Sequence, residues 1–330
     1  MTGSPPRVGV VGTGYWGKNL LRNFHAVGAL AAFCESAADM RADRAAAYDV
    51  PAHASLDALL AEPNLDAVAI ATPAATHGAL ARRALEAGRH VFVEKPLCLN
   101  LAEAEALDAL ARERKLTLMV GHLLLYHPAF EALRELLAAG RLGPLRYIYS
   151  NRASLGRIRR EENALWSFAP HDVSMILQLS GLMPERVTCS GGAWLHPPVA
   201  DTSLTHMTFP GGLQAHIFVS WLHPYKDHKL VVVGEDAMAV FDDVQVGEDK
   251  LRLYRHQVGW NGDIQAVDKA EAEPIAYGGE EPLARECAHF LDCVREGKSP
   301  LSNAAEGRRV LAVLDACERA LVSGNAVAPA

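Results

Sequence analysis

The sequence predicts an α/β protein of two domains, the first built on a parallel sheet. Three observations carry that prediction. Short apolar runs alternate with helical periods through the first third of the chain, and a glycine motif closes the first of those runs. From about Leu145 the pattern changes to closely spaced strand-like runs separated by turns. A chain of 330 residues, half of them apolar, can bury a large core and has the length of two domains.

The elements follow in order. Val8 to Val11 is an apolar run that stops at Gly12-Thr-Gly-Tyr-Trp-Gly17, after which Lys18 to Ala26 keeps a helical period. A second run, Leu30 to Cys34, ends at Glu35. Ala67 to Ala71 and His90 to Val93 each follow an alanine-rich helical stretch, and Leu116 to Val120 makes another run. Short buried strands that alternate with helices imply a parallel sheet covered on both faces.

Each glycine of the motif has a physical purpose. Gly12 allows a tight turn out of the strand, Gly14 lets the backbone approach a pyrophosphate, and Gly17 permits close packing of helix on strand. The helix that opens here aims free N–H groups and a positive dipole end at the phosphates. Glu35 ends the next strand at close to the spacing of about 20 residues expected for a dinucleotide site. Its carboxylate suits the ribose hydroxyls of NAD and repels the extra phosphate of NADP, so NAD is the expected cofactor.

In the second half, Leu145 to Ser150, Arg186 to Gly191, Ser203 to Phe209, Leu213 to Trp221, Lys229 to Gly234 and Ala237 to Asp242 read as strands. Pro210-Gly-Gly212 reads as a hairpin connection. A helix with Pro170 in its first turn is expected to carry His171 and Asp172 near its N-terminus, followed by Val173, Ile176, Leu177 and Ser180. Two helices close the chain, one with Leu283, Cys287, Phe290, Leu291 and Val294 on an apolar face. In the other, Asn303 and Glu306 stand in capping-box spacing.

Composition narrows the function classes. The formal net charge is −7, and no Lys/Arg block would track a phosphate backbone, so nucleic acid is not an expected partner. No apolar run approaches the roughly 18 residues of a membrane span, and the N-terminal residues lack the apolar core of a signal peptide. A cytoplasmic protein is expected. The six cysteines form no Cys-x-x-Cys pair and are expected to be small buried hydrophobes. The 14 histidines lack metal-site spacing, and no metal is expected.

Ala71-Thr-Pro-Ala-Ala-Thr-His77 and Ala87-Gly-Arg-His-Val-Phe-Val-Glu94-Lys95-Pro96, together with the glycine motif, resemble the Gfo/Idh/MocA family of sugar and cyclitol oxidoreductases. The C-terminal segment matches too, from Glu281-Pro-Leu through His289-Phe to Gly297-Lys-Ser-Pro300. The resemblance implies a Rossmann domain over residues 1–122, then an α/β domain over 123–330 with a large open, mostly antiparallel sheet. That second domain would bind substrate and join copies of the chain into a homo-oligomer.

The resemblance also implies roles. Lys95 would sit beside the nicotinamide and the reacting hydroxyl, and His171 would be its partner in proton transfer. The cofactor site would comprise Gly12, Gly14, Tyr15, Trp16, Gly17, Glu35, Thr72, Pro73, His77, Glu94 and Lys95. The family's Asp-x-x-x-His segment is altered here, with Ser167 standing at the aspartate position. The motifs at 14–19, 121–128 and 166–172 are similar to those of nucleotide-sugar dehydrogenases. On that reading Arg152, Arg157, Asn163, Trp166, His171 and Asp172 would line a nucleotide-sugar site, where arginine forks suit a diphosphate.

Overall fold

The computed structural model describes residues 4–156 and 158–329. They form two compact units, one made of the chain up to Tyr126 together with Glu280–Leu311, the other of His127–Gly279 and the residues from Ala312 onward. The expected boundary at residue 122 falls close to the first crossing. It does not describe the return of the chain to the first unit.

The first unit opens with β1 (Val8–Val11), α1 (Gly17–Ala26), β2 (Leu30–Cys34), α2 (Ala38–Ala47), β3 (Ala52–His53), α3 (Leu56–Leu60) and β4 (Ala67–Ile70). It continues with α4 (His77–Glu86), β5 (His90–Glu94), α5 (Leu101–Arg114) and β6 (Leu118–Gly121). The strands make one six-stranded parallel sheet in the order β3-β2-β1-β4-β5-β6. Every residue of β1, β2, β4 and β6 is buried, as a sheet covered on both faces requires. In α1, Leu20, Leu21 and Phe24 are fully buried, each contributing about 1.5–3 kcal/mol of transfer free energy. The strand order reverses between β1 and β4, which is where such sheets bind ligands.

The second unit holds α6 (Pro128–Ala138), β7 (Leu145–Ala153), α7 (Ala164–Ser180), β8 (Arg186–Gly192), β9 (Thr202–Thr208), β10 (Gln214–Ser220), β11 (Asp227–Gly234) and β12 (Met238–Asp242). After these come β13 (Leu251–Tyr254), β14 (Gln257–Asn261), β15 (Ile264–Asp268) and β16 (Glu273–Pro274). An eight-stranded sheet runs β16-β13-β12-β11-β7-β10-β9-β8, antiparallel except where β10 pairs with β7. The Pro210–Gly212 turn joins β9 to β10 as the sequence predicts. β14 and β15 form a separate, exposed hairpin.

The helix α8 (Pro282–Glu296) belongs to the first unit, and α9 (Ala304–Ser323) begins there and ends in the second. Asn303 caps α9, its Oδ1 accepting from Glu306 N at 3.1 Å. All six cysteines are buried free thiols.

Candidate functional site

Two of the three glycines of the β1–α1 turn are required by the backbone itself. Gly12 takes φ +81°, and a Cβ there would lie 2.8 Å from Thr72 Cγ2. A Cβ on Gly17 would lie 1.9 Å from the Gly12 carbonyl oxygen, so only glycine lets the helix start this close to the strand. Gly14 faces open space with nothing within 4 Å, which keeps its backbone approachable from outside. The first turn of α1 holds no acid and no side-chain cap bond; Lys18 N and Asn19 N donate to Gly14 O at 3.3 Å and Trp16 O at 2.8 Å, and the positive end of the helix suits an anion.

Glu35 stands beside this turn. Its Oε2 accepts from Thr13 N at 2.8 Å and Thr13 Oγ1 at 3.0 Å, and its Oε1 accepts from Ala37 N at 3.1 Å. Burial opposes its ionisation, but these donors hold its carboxyl below the ordinary range. Arg41, a nearby guanidinium, donates instead to the backbone carbonyls of Glu35 at 2.7 Å and Ser36 at 3.3 Å. The residues fit NAD: an open glycine cradle, a helix N-terminus without an acid or a side-chain cap, and an ionised acid fixed at the end of the second strand.

Around β5 the other expected residues gather. Glu94 accepts a hydrogen bond from Trp16 Nε1, which ties the glycine turn to the end of that strand. Burial pushes the Glu94 carboxyl up to about 7 against the pull of Trp16 and Lys95. The Lys95–Pro96 peptide is cis. His77 is buried between two carbonyls, with Nδ1 2.7 Å from Pro96 O and Nε2 2.8 Å from Thr72 O. A neutral imidazole donates through only one nitrogen, and burial lowers the affinity of this ring for a second proton. The neutral ring therefore donates to one of these carbonyls and packs against the other. Thr72 Oγ1 meets Thr76 Oγ1 at 2.7 Å, and Thr76 in turn donates to Pro73 O. Tyr15 is exposed, with the Lys18 ammonium 5.6 Å from its ring centroid.

One residue of the 121–128 motif was given no role of its own in the sequence. His122 is buried beside the end of β6, and burial and the Lys95 ammonium push its pKa down to about 3, so its ring is neutral.

The second unit corrects one expectation. Pro170 does not open the His171 helix. α7 begins at Ala164, capped by Asn163 Oδ1 accepting from Trp166 N at 3.1 Å, and Pro170 lies inside it. His171 is thus two turns beyond the N-terminus, outside the first turn to which the effect of the helix dipole is confined. Ser167 lies one turn before His171, on the same face of the helix.

The expected substrate contacts have partners within the chain. Asp172 is fully buried and accepts from Arg152 Nε at 2.7 Å and from Ser150 Oγ. Arg152, itself buried, also donates from Nη1 to His228 Nδ1 at 3.1 Å. Beyond His228 lies Asp243, with Lys250 Nζ 3.5 Å from its Oδ1 and His228 Nδ1 3.9 Å from its Oδ2. Burial opposes the charge on Asp243, but His228, Arg152, Lys250 and His127 hold its pKa down to about 2. Asn163 Nδ2 and Trp166 Nε1 both donate to Glu318 Oε2 on α9, at 2.9 and 3.0 Å. Arg157 lies outside the described residues. Ser150, His228, Asp243 and Glu318 were not singled out in the sequence. Polar residues on strands carry no local signal of the pairing that a sheet and a covering helix impose.

A parallel sheet of this strand order, with a glycine turn at its switch point and an acid ending the next strand, defines a dinucleotide-binding protein. Residues 6–122 match an oxidoreductase family with an NAD-binding Rossmann fold, and residues 130–240 match the GFO/IDH/MocA C-terminal domain. The chain belongs to the Gfo/Idh/MocA family of NAD-binding oxidoreductases. It is 31% identical over 307 residues to a UDP-N-acetylglucosamine 3-dehydrogenase of Acidithiobacillus ferrooxidans, covering 93% of this chain and 94% of that one. The solved structure of the A. ferrooxidans enzyme is similar with a TM-score of 0.84 at 30% identity, covering 96% of this chain and 97% of that one. A scyllo-inositol 2-dehydrogenase (NAD(+)) of Bacillus subtilis is 26% identical over 254 residues, covering 74% of this chain and 71% of that one.

Proposed function

We propose that this protein oxidises the C3 hydroxyl of UDP-N-acetylglucosamine to the 3-keto sugar with NAD. The observation that carries the reading is the 31% identity to a UDP-N-acetylglucosamine 3-dehydrogenase, sustained over 93% of the chain. Glu35, fixed and ionised at the end of β2, supports NAD over NADP.

NAD, when bound, supplies the hydride acceptor. The chain supplies the rest. His171 takes the proton of the C3 hydroxyl as general base while the hydride leaves the same carbon. The Lys95 ammonium steadies the oxyanion that develops as that proton departs. Asp172, paired with Arg152 and Ser150, holds α7 to the sheet and so sets the orientation of His171. Arg157 remains a candidate for the diphosphate. The 3-keto product suits an aminotransferase, which places the reaction on a route to 3-amino sugars of lipid A or surface polysaccharide. A cytoplasmic location accords with a soluble cofactor.

The uncovered face of the large sheet supports a homo-oligomer. Tyr147 and Leu204 stand 42% and 48% exposed there, and the rings of Tyr147, Tyr149 and His216 stack in a row. The match to a scyllo-inositol dehydrogenase favours a second reading, oxidation of a cyclitol or free sugar. Incubation with NAD and a panel of UDP-N-acetylglucosamine, inositols and free sugars tests the two. NADH formed from the nucleotide sugar alone supports the first. NADH from a cyclitol alone overturns it.

A further inference from the structure

One face of the parallel sheet carries carboxylates where hydrocarbon is usual. Phe92 on β5 meets Phe290 on α8 with ring centroids 5.8 Å apart, and Phe290 also meets Phe24 of α1 at 6.4 Å. Side chains at 92 and 94 share a sheet face, because a strand alternates. Glu286 precedes Phe290 by one helical turn and shares its helix face. Two strand residues rise about 6.6 Å and four helix residues about 6 Å; the charge of Glu94 is felt at both Glu286 and Cys287, so α8 runs opposite to β5 here and the two acids make the next pair along from the two phenylalanines. The raised proton affinity of Glu286, caused by burial and then by the charge of Glu94, accords with that closeness.

The two acids differ in their surroundings. Glu94 accepts from Trp16 Nε1 and has the Lys95 ammonium close by. It also fills the space beside Gly121, where a Cβ would lie 3.1 Å from its Oε2. Glu286 is fully buried, and among the described residues neither of its carboxylate oxygens has a hydrogen-bond partner. Among the described residues, those around it are Tyr126, whose hydroxyl meets Ser302 Oγ at 2.8 Å, and the Cys287 thiol, while the Lys95 ammonium acts on Glu94. Arg22 is engaged with Glu281, and the ring of His122 is neutral. A lone buried anion of this kind is costly, and two adjacent anions cost more.

We propose that Glu94 and Glu286 hold one proton between them, with Glu286 as the neutral acid donating its O–H to the Glu94 carboxylate. An O–H···O⁻ bond is among the stronger hydrogen bonds, and it satisfies the otherwise unpartnered carboxyl group. Glu286 is then a positioning residue. It orients Glu94, Glu94 holds Trp16, and Trp16 fixes the glycine turn that receives the dinucleotide. The inference rests on the NAD-binding role of that turn and is independent of which sugar is oxidised.

Two substitutions separate donation from packing. Glu286→Gln keeps a donor, whereas Glu286→Leu keeps the bulk and removes it. Calorimetric titration with NAD is expected to give a Kd within about threefold of the parent for Glu286→Gln and weakened about tenfold or more for Glu286→Leu. A packing role alone would rank leucine equal to or better than glutamine. Infrared spectroscopy at neutral pH is expected to show a carboxylic-acid C=O band in the parent that disappears in Glu286→Gln. Absence of that band in the parent, its survival in Glu286→Gln, or equal NAD affinity of the two variants would overturn the proposal. If Glu286→Leu does not fold, the infrared comparison still decides.

Discussion

At the residue scale, Glu35 is the side chain whose role can be read most directly. Three donors fix it in the ionised form next to the glycine turn. Glu35→Ala is expected to weaken NAD about tenfold, the magnitude of one charge-assisted hydrogen bond, and to improve NADP relative to NAD. Titration with both cofactors checks it, and an unchanged preference refutes the assignment. The chemistry rests on two further residues. Lys95→Ala and His171→Asn are each expected to lower kcat by about 10²–10⁴-fold, the scale of general acid–base catalysis, with NAD affinity nearly unchanged. Loss of folding in both variants would mean that these are structural residues. The sequence made Glu35 legible because an acid ending the second strand has a recognised spacing. It left Glu286 hidden, although the signal was present. Glu286 falls among Leu283, Cys287 and Phe290 at helical spacing, and an acid inside an apolar stripe needs a partner.

At the scale of the element, α7 shows how a local signal can mislead. Proline favours the first turn of a helix, so Pro170 was the natural start. The start signal lies earlier, at Asn163, whose side chain caps the helix. Proline in the interior is tolerated because α7 packs on β7, β9 and β10, so tertiary burial outweighs the lost backbone bond. The buried Arg152–Asp172 pair anchors the helix next to His171. Asp172→Ala would remove the carboxylate that pairs with the buried Arg152 Nε, with an expected cost of about 3–5 kcal/mol. Chemical denaturation followed by circular dichroism measures it, and a loss below about 1 kcal/mol, the scale of a surface pair, would show that the pair is not an anchor. Five of the six strands of the first unit were readable because each is a short apolar run at a βα spacing; β3, only Ala52–His53, carries no such run. β13 to β16 were not. Both strands of the β14–β15 hairpin are exposed throughout and show no buried alternation.

At the scale of the whole molecule, the chain that leaves the parallel sheet returns to it through α8. That return carries Glu286 and is invisible to a reading that cuts the sequence once. It also predicts a pH dependence. Glu94 is raised from 4.5 to about 7, and Glu286 is raised as well, both chiefly by burial. The folded state therefore binds more protons than the unfolded one in this window, and stability falls as pH rises from about 4.5 toward about 7. Glu286→Gln removes one of the two raised groups and is expected to flatten that fall. Denaturant midpoints measured across the window test the sign, and a parent midpoint that rises with pH would contradict it.

The family, the parallel sheet and the NAD site rest on matches over the length of the chain, whereas the sugar rests on one level of similarity within the family. The most direct measurement is therefore NADH formation by the purified protein from NAD and UDP-N-acetylglucosamine, with an aminotransferase present to draw off the keto product. NADH together with a 3-amino nucleotide sugar is the expected result. No NADH from the nucleotide sugar, under conditions where an inositol or a free sugar yields it, would overturn the proposed substrate.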